Sequence, residues 1–225
     1  MEGIRELRIA VEGAGEVSAL LLRPGDARWM LTLAHGAGAG MNHGFMEALA
    51  GELSRVQVAT LRYQFPYMEE GRGVPDRPKV LTATVTAAVR EAKQVAPGLP
   101  LLAGGKSMGG RMSSQAAADG LLEEVRGLVF FGFPLHPPKQ PGTKRAEHLS
   151  KVPVPMLFLQ GARDALADLQ LLRPICKQLA PRATLHVIET ADHSFRVLKK
   201  AGRSDEEVLR ELATRTAEWA EGIAI

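Results

Sequence analysis

The sequence predicts an α/β fold built on a mostly parallel sheet of eight strands with helices on both faces. Three observations predict it. Short apolar runs recur along the chain between longer stretches of helical periodicity. Most of these runs are apolar throughout rather than alternating, as expected of strands covered on both sides. Only the first 24 residues depart from this, with two alternating stretches spaced as a hairpin.

The hairpin stretches are Ile4 to Val11 and Val17 to Leu22, separated by "EGAGE". The strand-like runs that follow are "WMLTLAHG", "VQVATLRY", "LPLLAGG", "VRGLVFFGF", "VPMLFLQG" and "ATLHVIET". Helical patterns occupy 43–54, 77–95, 107–119, 168–179 and 204–220, the last opening on "SDEE", an N-terminal start signal. Strand following helix following strand implies right-handed crossovers and parallel pairing. The segment 134–150, "PLHPPKQPGTKRAEHLS", is broken by proline and charge; it reads as a loop with at most a short helix near 143–149, too small for a lid domain. With no linker and no repeat, residues 1–225 read as one domain.

Composition excludes several classes. Apolar residues make up 45% and charged residues 24%, the balance of an ordinary globular protein. The formal charge is +3, but Lys and Arg are scattered among the acids and form no basic run, so no nucleic-acid partner is expected. The single cysteine, Cys176, excludes an intrachain disulfide and sits among leucines as a packed helix residue. The amino terminus carries charge where a signal peptide needs an apolar stretch, and no run approaches the ~18 apolar residues of a membrane span. A soluble cytoplasmic protein without membrane contact is expected; the oligomeric state is not legible.

The stretch "LLAGGKSMGG" (101–110) fits two machines. A phosphate loop, G-x-x-x-x-G-K-[ST], requires glycine at 100, where the chain has Pro100, and a dinucleotide fingerprint beginning at Gly36 requires glycine where Met41 stands. Both fail, so no nucleotide cofactor is expected. Gly105-Lys106-Ser107-Met108-Gly109 satisfies G-x-S-x-G, a sharp strand-to-helix turn that presents a nucleophilic serine. Serine is a weak nucleophile until a neutral imidazole accepts its proton and a carboxylate orients that imidazole. The acid follows a later strand and the histidine the last one: here Asp164 after "VPMLFLQG" and His193 after "ATLHVIET". Asp168 and Asp192 are rival acids, but Asp168 suits a helix start and Asp192, adjacent to the histidine, points elsewhere.

The backbone N–H of Met108 and that of Ala37, in the small-residue loop "LAHGAGAG", are the expected oxyanion donors. His35 belongs to the framework of that loop, His43 and His136 are candidates to border the site, and His186 lies within a strand. No H-x-x-x-H pair or Cys/His cluster has ligand spacing, so no metal is expected. Phe65 and Tyr67 (with the intervening Pro66), Leu135, His136 and Phe195 are expected as pocket walls.

The segments "LAHGAGAGMNH", "RYQFPYMEEGRGVPDRP", "GGKSMGGRMSS", "FGFPLHPP", "RAEHLSKVPVPMLFLQGARD" and "ADHSF" resemble the α/β-hydrolase superfamily over nearly the whole chain. They are most similar to the branch of testis-expressed protein 30 and non-specific-lethal complex subunit 3, near dienelactone hydrolase. The resemblance implies a compact hydrolase fold without a large cap domain, with Ser107, Asp164 and His193 at the triad positions. Dienelactone hydrolase carries cysteine where this chain has Ser107, so lactone specificity does not transfer. The expected function is hydrolysis of a small or medium carboxylic ester or thioester through an acyl-enzyme, the partner being a small acyl substrate. The alternative is a binding or scaffolding module that keeps the fold without turnover.

Overall fold

The computed structural model describes residues 3–223. In chain order its elements are β1 (Arg5–Val11), β2 (Gly15–Leu22), β3 (Trp29–Ala34), α1 (Gly44–Arg55), β4 (Val58–Tyr63), α2 (Pro66–Glu69), α3 (Pro78–Val95), β5 (Leu101–Lys106), α4 (Met108–Ala118), β6 (Val125–Phe131), β7 (Met156–Gly161), α5 (Leu169–Gln178), β8 (Ala183–Ile188) and α6 (Asp205–Glu221). Every strand and long helix expected from the periodicity is present. The four-residue α2, with Pro66 in its first turn, falls below the length that periodicity can detect. Segment 134–150 remains irregular except for a 3-10 helix over Lys144–Lys151, so no cap covers the sheet.

The eight strands form one sheet in the order β1-β2-β4-β3-β5-β6-β7-β8. β1 pairs antiparallel with β2 and β2 with β4; every other pairing is parallel. From β3 the chain passes to β4 on one side and then returns to β5 on the other. This reversal opens a crevice beyond the carboxyl ends of β3 and β5, where open α/β sheets bind ligands.

Alternate strand residues serve opposite cores. Met156 and Phe158 of β7 join Phe130, Val85, Met112 and Leu172 on the face covered by α3, α4 and α5. Leu157 and Leu159 join Val129, Leu49, Leu53, Val208 and Leu212 on the face covered by α1 and α6. Helix ends follow local chemistry. Asp168 caps α5 by accepting from Gln170 N at 2.8 Å, and Ser204 and Glu207 form a reciprocal capping box at the start of α6. Cys176 is buried in α5, and burial pushes its thiol up to about 11.

Two glycines separate packing from propensity. A Cβ on Gly109 would lie 2.5 Å from the carbonyl oxygen and 2.7 Å from the Cβ of Ala34, both parts of a central strand. Gly51, inside α1, has nothing within 4 Å of its Cβ position. We predict that Gly109→Ala destabilises by roughly 1–3 kcal/mol, the range for overpacking. Gly51→Ala should stabilise by about 0.5–1 kcal/mol through reduced backbone entropy. Urea midpoints at unchanged m-value check both; a neutral Gly109→Ala would contradict the close approach.

Candidate active site

The serine turn is shaped by one contact between strands. Cβ atoms on Gly105 and Gly109 would lie 2.2 Å and 2.5 Å from the same atom, the carbonyl oxygen of Ala34. The two glycines of G-x-S-x-G are therefore needed for close approach to β3. Between them Ser107 adopts φ 51° and ψ −116°, a conformation that costs a side-chain-bearing residue on the order of 1–3 kcal/mol. Its N–H donates to Phe131 O at 3.2 Å, so β6 supports the chain up to the turn, and α4 begins at the next residue.

A second close approach brings together the expected acid and the expected base. A Cβ on Gly161, the last residue of β7, would fall 2.5 Å from Ala191 O and 2.6 Å from Asp192 O, so only glycine lets the turn after β7 lie against the turn after β8. Asp164 emerges from the first turn and His193 from the second. Asp164 Oδ2 lies 2.7 Å from His193 Nδ1, and His193 Nε2 lies 3.0 Å from Ser107 Oγ. Facing a carboxylate, Nδ1 carries the proton, which leaves the Nε2 lone pair directed at the hydroxyl.

The Asp164 side chain is fully buried and its hydrogen bonding is satisfied: Oδ1 accepts from Leu166 N at 2.7 Å, and Oδ2 also accepts from Gln160 Nε2. Both rival acids are occupied elsewhere, Asp168 in the α5 cap and Asp192 in accepting from Ser194 N and Arg196 N at 2.8 and 3.0 Å.

The loop after β3 completes the crevice. A side chain on Gly36 would touch Ser107 Cβ at 3.6 Å, so the loop lies beside the serine. His35 is buried, and burial pushes its imidazole down to about 4, hence neutral. Its Nδ1–H donates to Gly36 O at 2.7 Å, while Nε2 accepts from Phe65 N at 3.1 Å. β4 and its following turn hold the rest of the loop: Gln64 Oε1 accepts from Met41 N at 2.8 Å, Arg62 donates to Met41 O at 3.1 Å, and Tyr67 OH accepts from Gly38 N at 3.2 Å. Ala37 is exposed at the loop's tip, and its N–H has no acceptor among the described residues. Met108 opens α4, so its N–H has no intrahelical acceptor.

Above Ser107 and His193 lies a cavity of about 720 Å3, within the size range of small-molecule sites. Ala37, Phe45, Met46, Leu166, Phe195 and Leu209 supply apolar wall, and His43 borders it. Phe195, at φ 61°, stacks on Phe45 with ring centroids 5.7 Å apart. Of the expected walls, Phe195 alone lines this cavity. Phe65 and Tyr67 are fully buried beneath the glycine loop, where Phe65 packs edge-on against His35 at 4.9 Å. Leu135 is core, and His136 is fixed between Pro137 O at 2.9 Å and Asp168 N at 3.1 Å. Apolar loop residues here close the sheet's edge instead of facing the crevice. His186, away from the site, pairs with Glu211 at 2.6 Å.

Lys106, inside the G-x-S-x-G turn, is a residue of the site that the motif itself does not specify. On β5 it shares the parity of Leu102 and so points toward the α1/α6 face, where its chain lines the cavity. Nζ is buried with no hydrogen-bond partner among the described residues and lies 5.7 Å from the Phe195 ring centroid. Burial pushes the ammonium down to about 8, an effect only partly opposed by the charges of Asp164 and Asp192. An ionisable residue ending an apolar strand, on a core-facing parity, is a signal the sequence does contain.

This predicts a pH signature. The folded value is depressed relative to the unfolded one, so the unfolded chain binds more protons between about pH 8 and 10.5 and the burial penalty fades as pH rises through that window. Lys106→Met should therefore raise the melting temperature at pH 7, with the advantage shrinking toward pH 10. Thermal unfolding at both pH values checks it; an advantage that is constant or grows with pH would contradict a buried ammonium.

The family model described as alpha/beta hydrolase domain matches residues 27–221. Similar solved structures include dienelactone hydrolase from Anabaena variabilis, at 21% identity and TM-score 0.77 over 99% of each chain. Another is a serine hydrolase without lid from Xanthomonas campestris, at 19% identity and TM-score 0.75 over 97% of this chain and 96% of that one. A serine hydrolase homologue from Coxiella burnetii aligns at 20% identity and TM-score 0.74 over 94% of this chain and 96% of its own. The family model spans most of the chain, and the chain belongs to the α/β hydrolase domain family.

Proposed function

We propose that the protein is a serine hydrolase acting on a small or medium carboxylic ester or thioester. The observation that carries this is the hydrogen-bonded chain Asp164–His193–Ser107, with links of 2.7 and 3.0 Å, ending on a strained serine at the floor of the cavity. Within the superfamily, the motifs around the glycine loop, the serine turn and the histidine turn support the branch of testis-expressed protein 30 and non-specific-lethal complex subunit 3. No membrane partner is invoked: no described helix is long and apolar enough to cross a membrane.

In this reading His193 Nε2 takes the Ser107 hydroxyl proton as Oγ bonds to the substrate carbonyl carbon. The carbonyl π pair moves to oxygen, giving an oxyanion that faces the N–H groups of Ala37 and Met108. Collapse restores the C=O bond and expels the alkoxide or thiolate, which leaves with the proton from Nε2. Water then repeats the sequence on the acyl-enzyme, and the acid is released. Asp164 stays ionised throughout, holding the tautomer and stabilising the imidazolium. With a volume of about 720 Å3 and only a short 3-10 helix in the segment 134–150, the cavity suits short and medium acyl groups.

A fluorophosphonate probe should modify Ser107 stoichiometrically. Ser107→Ala should abolish both labelling and ester hydrolysis while leaving the circular dichroism spectrum unchanged. Asp164→Asn should lower kcat by roughly four orders of magnitude, because the amide favours the wrong imidazole tautomer. Wild-type protein that is folded yet unlabelled would favour the scaffolding alternative, and turnover retained by Ser107→Ala would exclude Ser107 as nucleophile.

A further inference from the structure

Lys106 poses a problem that the hydrolytic chain does not solve. A buried ammonium without a partner is among the more costly groups a fold can hold, and a methionine of similar length would pack there without that cost. Neither nearby acid hydrogen-bonds to it. Asp164 is bound by His193, Gln160 and Leu166 N, and Asp192 by the N–H groups of Ser194 and Arg196.

The immediate surroundings offer no acceptor either. A Cβ on Gly132 would lie 3.2 Å from Nζ and 3.5 Å from His193 Cε1, so Lys106 and His193 flank the same glycine, and the Phe195 ring centroid lies 5.7 Å from Nζ. The Lys106 chain lines the wall of the cavity that the substrate must enter. Arg196 and Asp205 also line that cavity but carry opposite charges, and Asp205 Oδ1 accepts from Val197 N at 2.9 Å. Among the residues that line the cavity, the charge left without an opposite is that of Lys106.

We propose that Lys106 is a specificity-determining residue that selects esters carrying a second, free carboxylate. This rests on the hydrolase reading of the same cavity. The missing partner is supplied by the substrate: a carboxylate entering the cavity accepts from Nζ, and the flexible four-carbon stem lets the ammonium turn from the Phe195 face to meet it. A singly charged carboxylate matches one ammonium in an otherwise mostly apolar wall. A phosphate dianion would demand further donors. Phe45 and Phe195 exclude water around the pair and strengthen it.

The test uses matched esters with wild type, Lys106→Met and Lys106→Arg. On the acyl side, 4-nitrophenyl hydrogen glutarate is compared with 4-nitrophenyl valerate; on the alcohol side, 4-acetoxybenzoate is compared with its methyl ester. In wild type the acid should be preferred in at least one pair. Lys106→Met should lower the acid-to-neutral ratio of kcat/KM by about 10- to 100-fold, the range for a charged hydrogen bond, and Lys106→Arg should keep most of it. As a measurement on wild type alone, glutarate should slow fluorophosphonate labelling of Ser107 more than glutaramide does.

A ratio unchanged by Lys106→Met in both pairs, or equal protection by glutarate and glutaramide, overturns the proposal. Wild-type protein that neither labels nor hydrolyses any of the four esters instead overturns the hydrolase reading itself.

Discussion

The contact on which the rest of the site depends is the approach of the serine turn to the carbonyl oxygen of Ala34. Cβ atoms on both Gly105 and Gly109 would fall within 2.5 Å of that one atom, so the turn closes against β3 only because both side chains are missing. Closure has two consequences. It drives Ser107 to φ 51°, lifting its hydroxyl out of the strand, and it starts α4 at the next residue, with the helix N-terminus aimed at the crevice. Ala34 is also the last residue of β3, so the glycine loop leaves the sheet from the point where the turn docks. Ser107 and the N–H groups of Met108 and Ala37 are thus positioned by a single interstrand contact at the switch in strand order.

Gly161 repeats the principle at the other side of the crevice. Its bare Cα lets the turns after β7 and β8 touch, and that contact sets the reach from Asp164 to His193. The acid is then held by three donors with its side chain out of solvent. A carboxylate so bound has little freedom to reorient, and the imidazole it faces inherits that rigidity. The geometry is held by backbone approach in a close-packed interior and not by flexible side-chain contacts at the surface.

Charge is distributed unevenly around this frame. His35, buried with one ring nitrogen donating and the other accepting, is held neutral and serves the loop. Asp164 is buried, with both oxygens accepting hydrogen bonds. Lys106, two residues from Gly104 on the same strand face, is charged and unsaturated, in the manner of a site built for a ligand at some cost to stability.

The strands, the long helices and the order Ser107, Asp164, His193 along the chain were legible in the residues alone. Each of these rests on local information: apolar runs of strand length, a 3.6-residue period, cap residues such as Asp168 and Ser204, and a five-residue turn signature. Helix capping, a local role that competes for the side chain, sets Asp168 apart from Asp164, which faces His193. The walls of the cavity were decided only by tertiary structure. Phe65, Tyr67 and Leu135 follow strands just as Phe195 does, yet they turn under the loops, while Phe45, from a helix start far away in sequence, stacks on Phe195. Which side of a loop faces the crevice depends on how α1 and the glycine loop pack over the sheet edge. The isolation of the Lys106 ammonium depends equally on which side chains the folded chain brings to it, and neither is written in the spacing of residues along the chain.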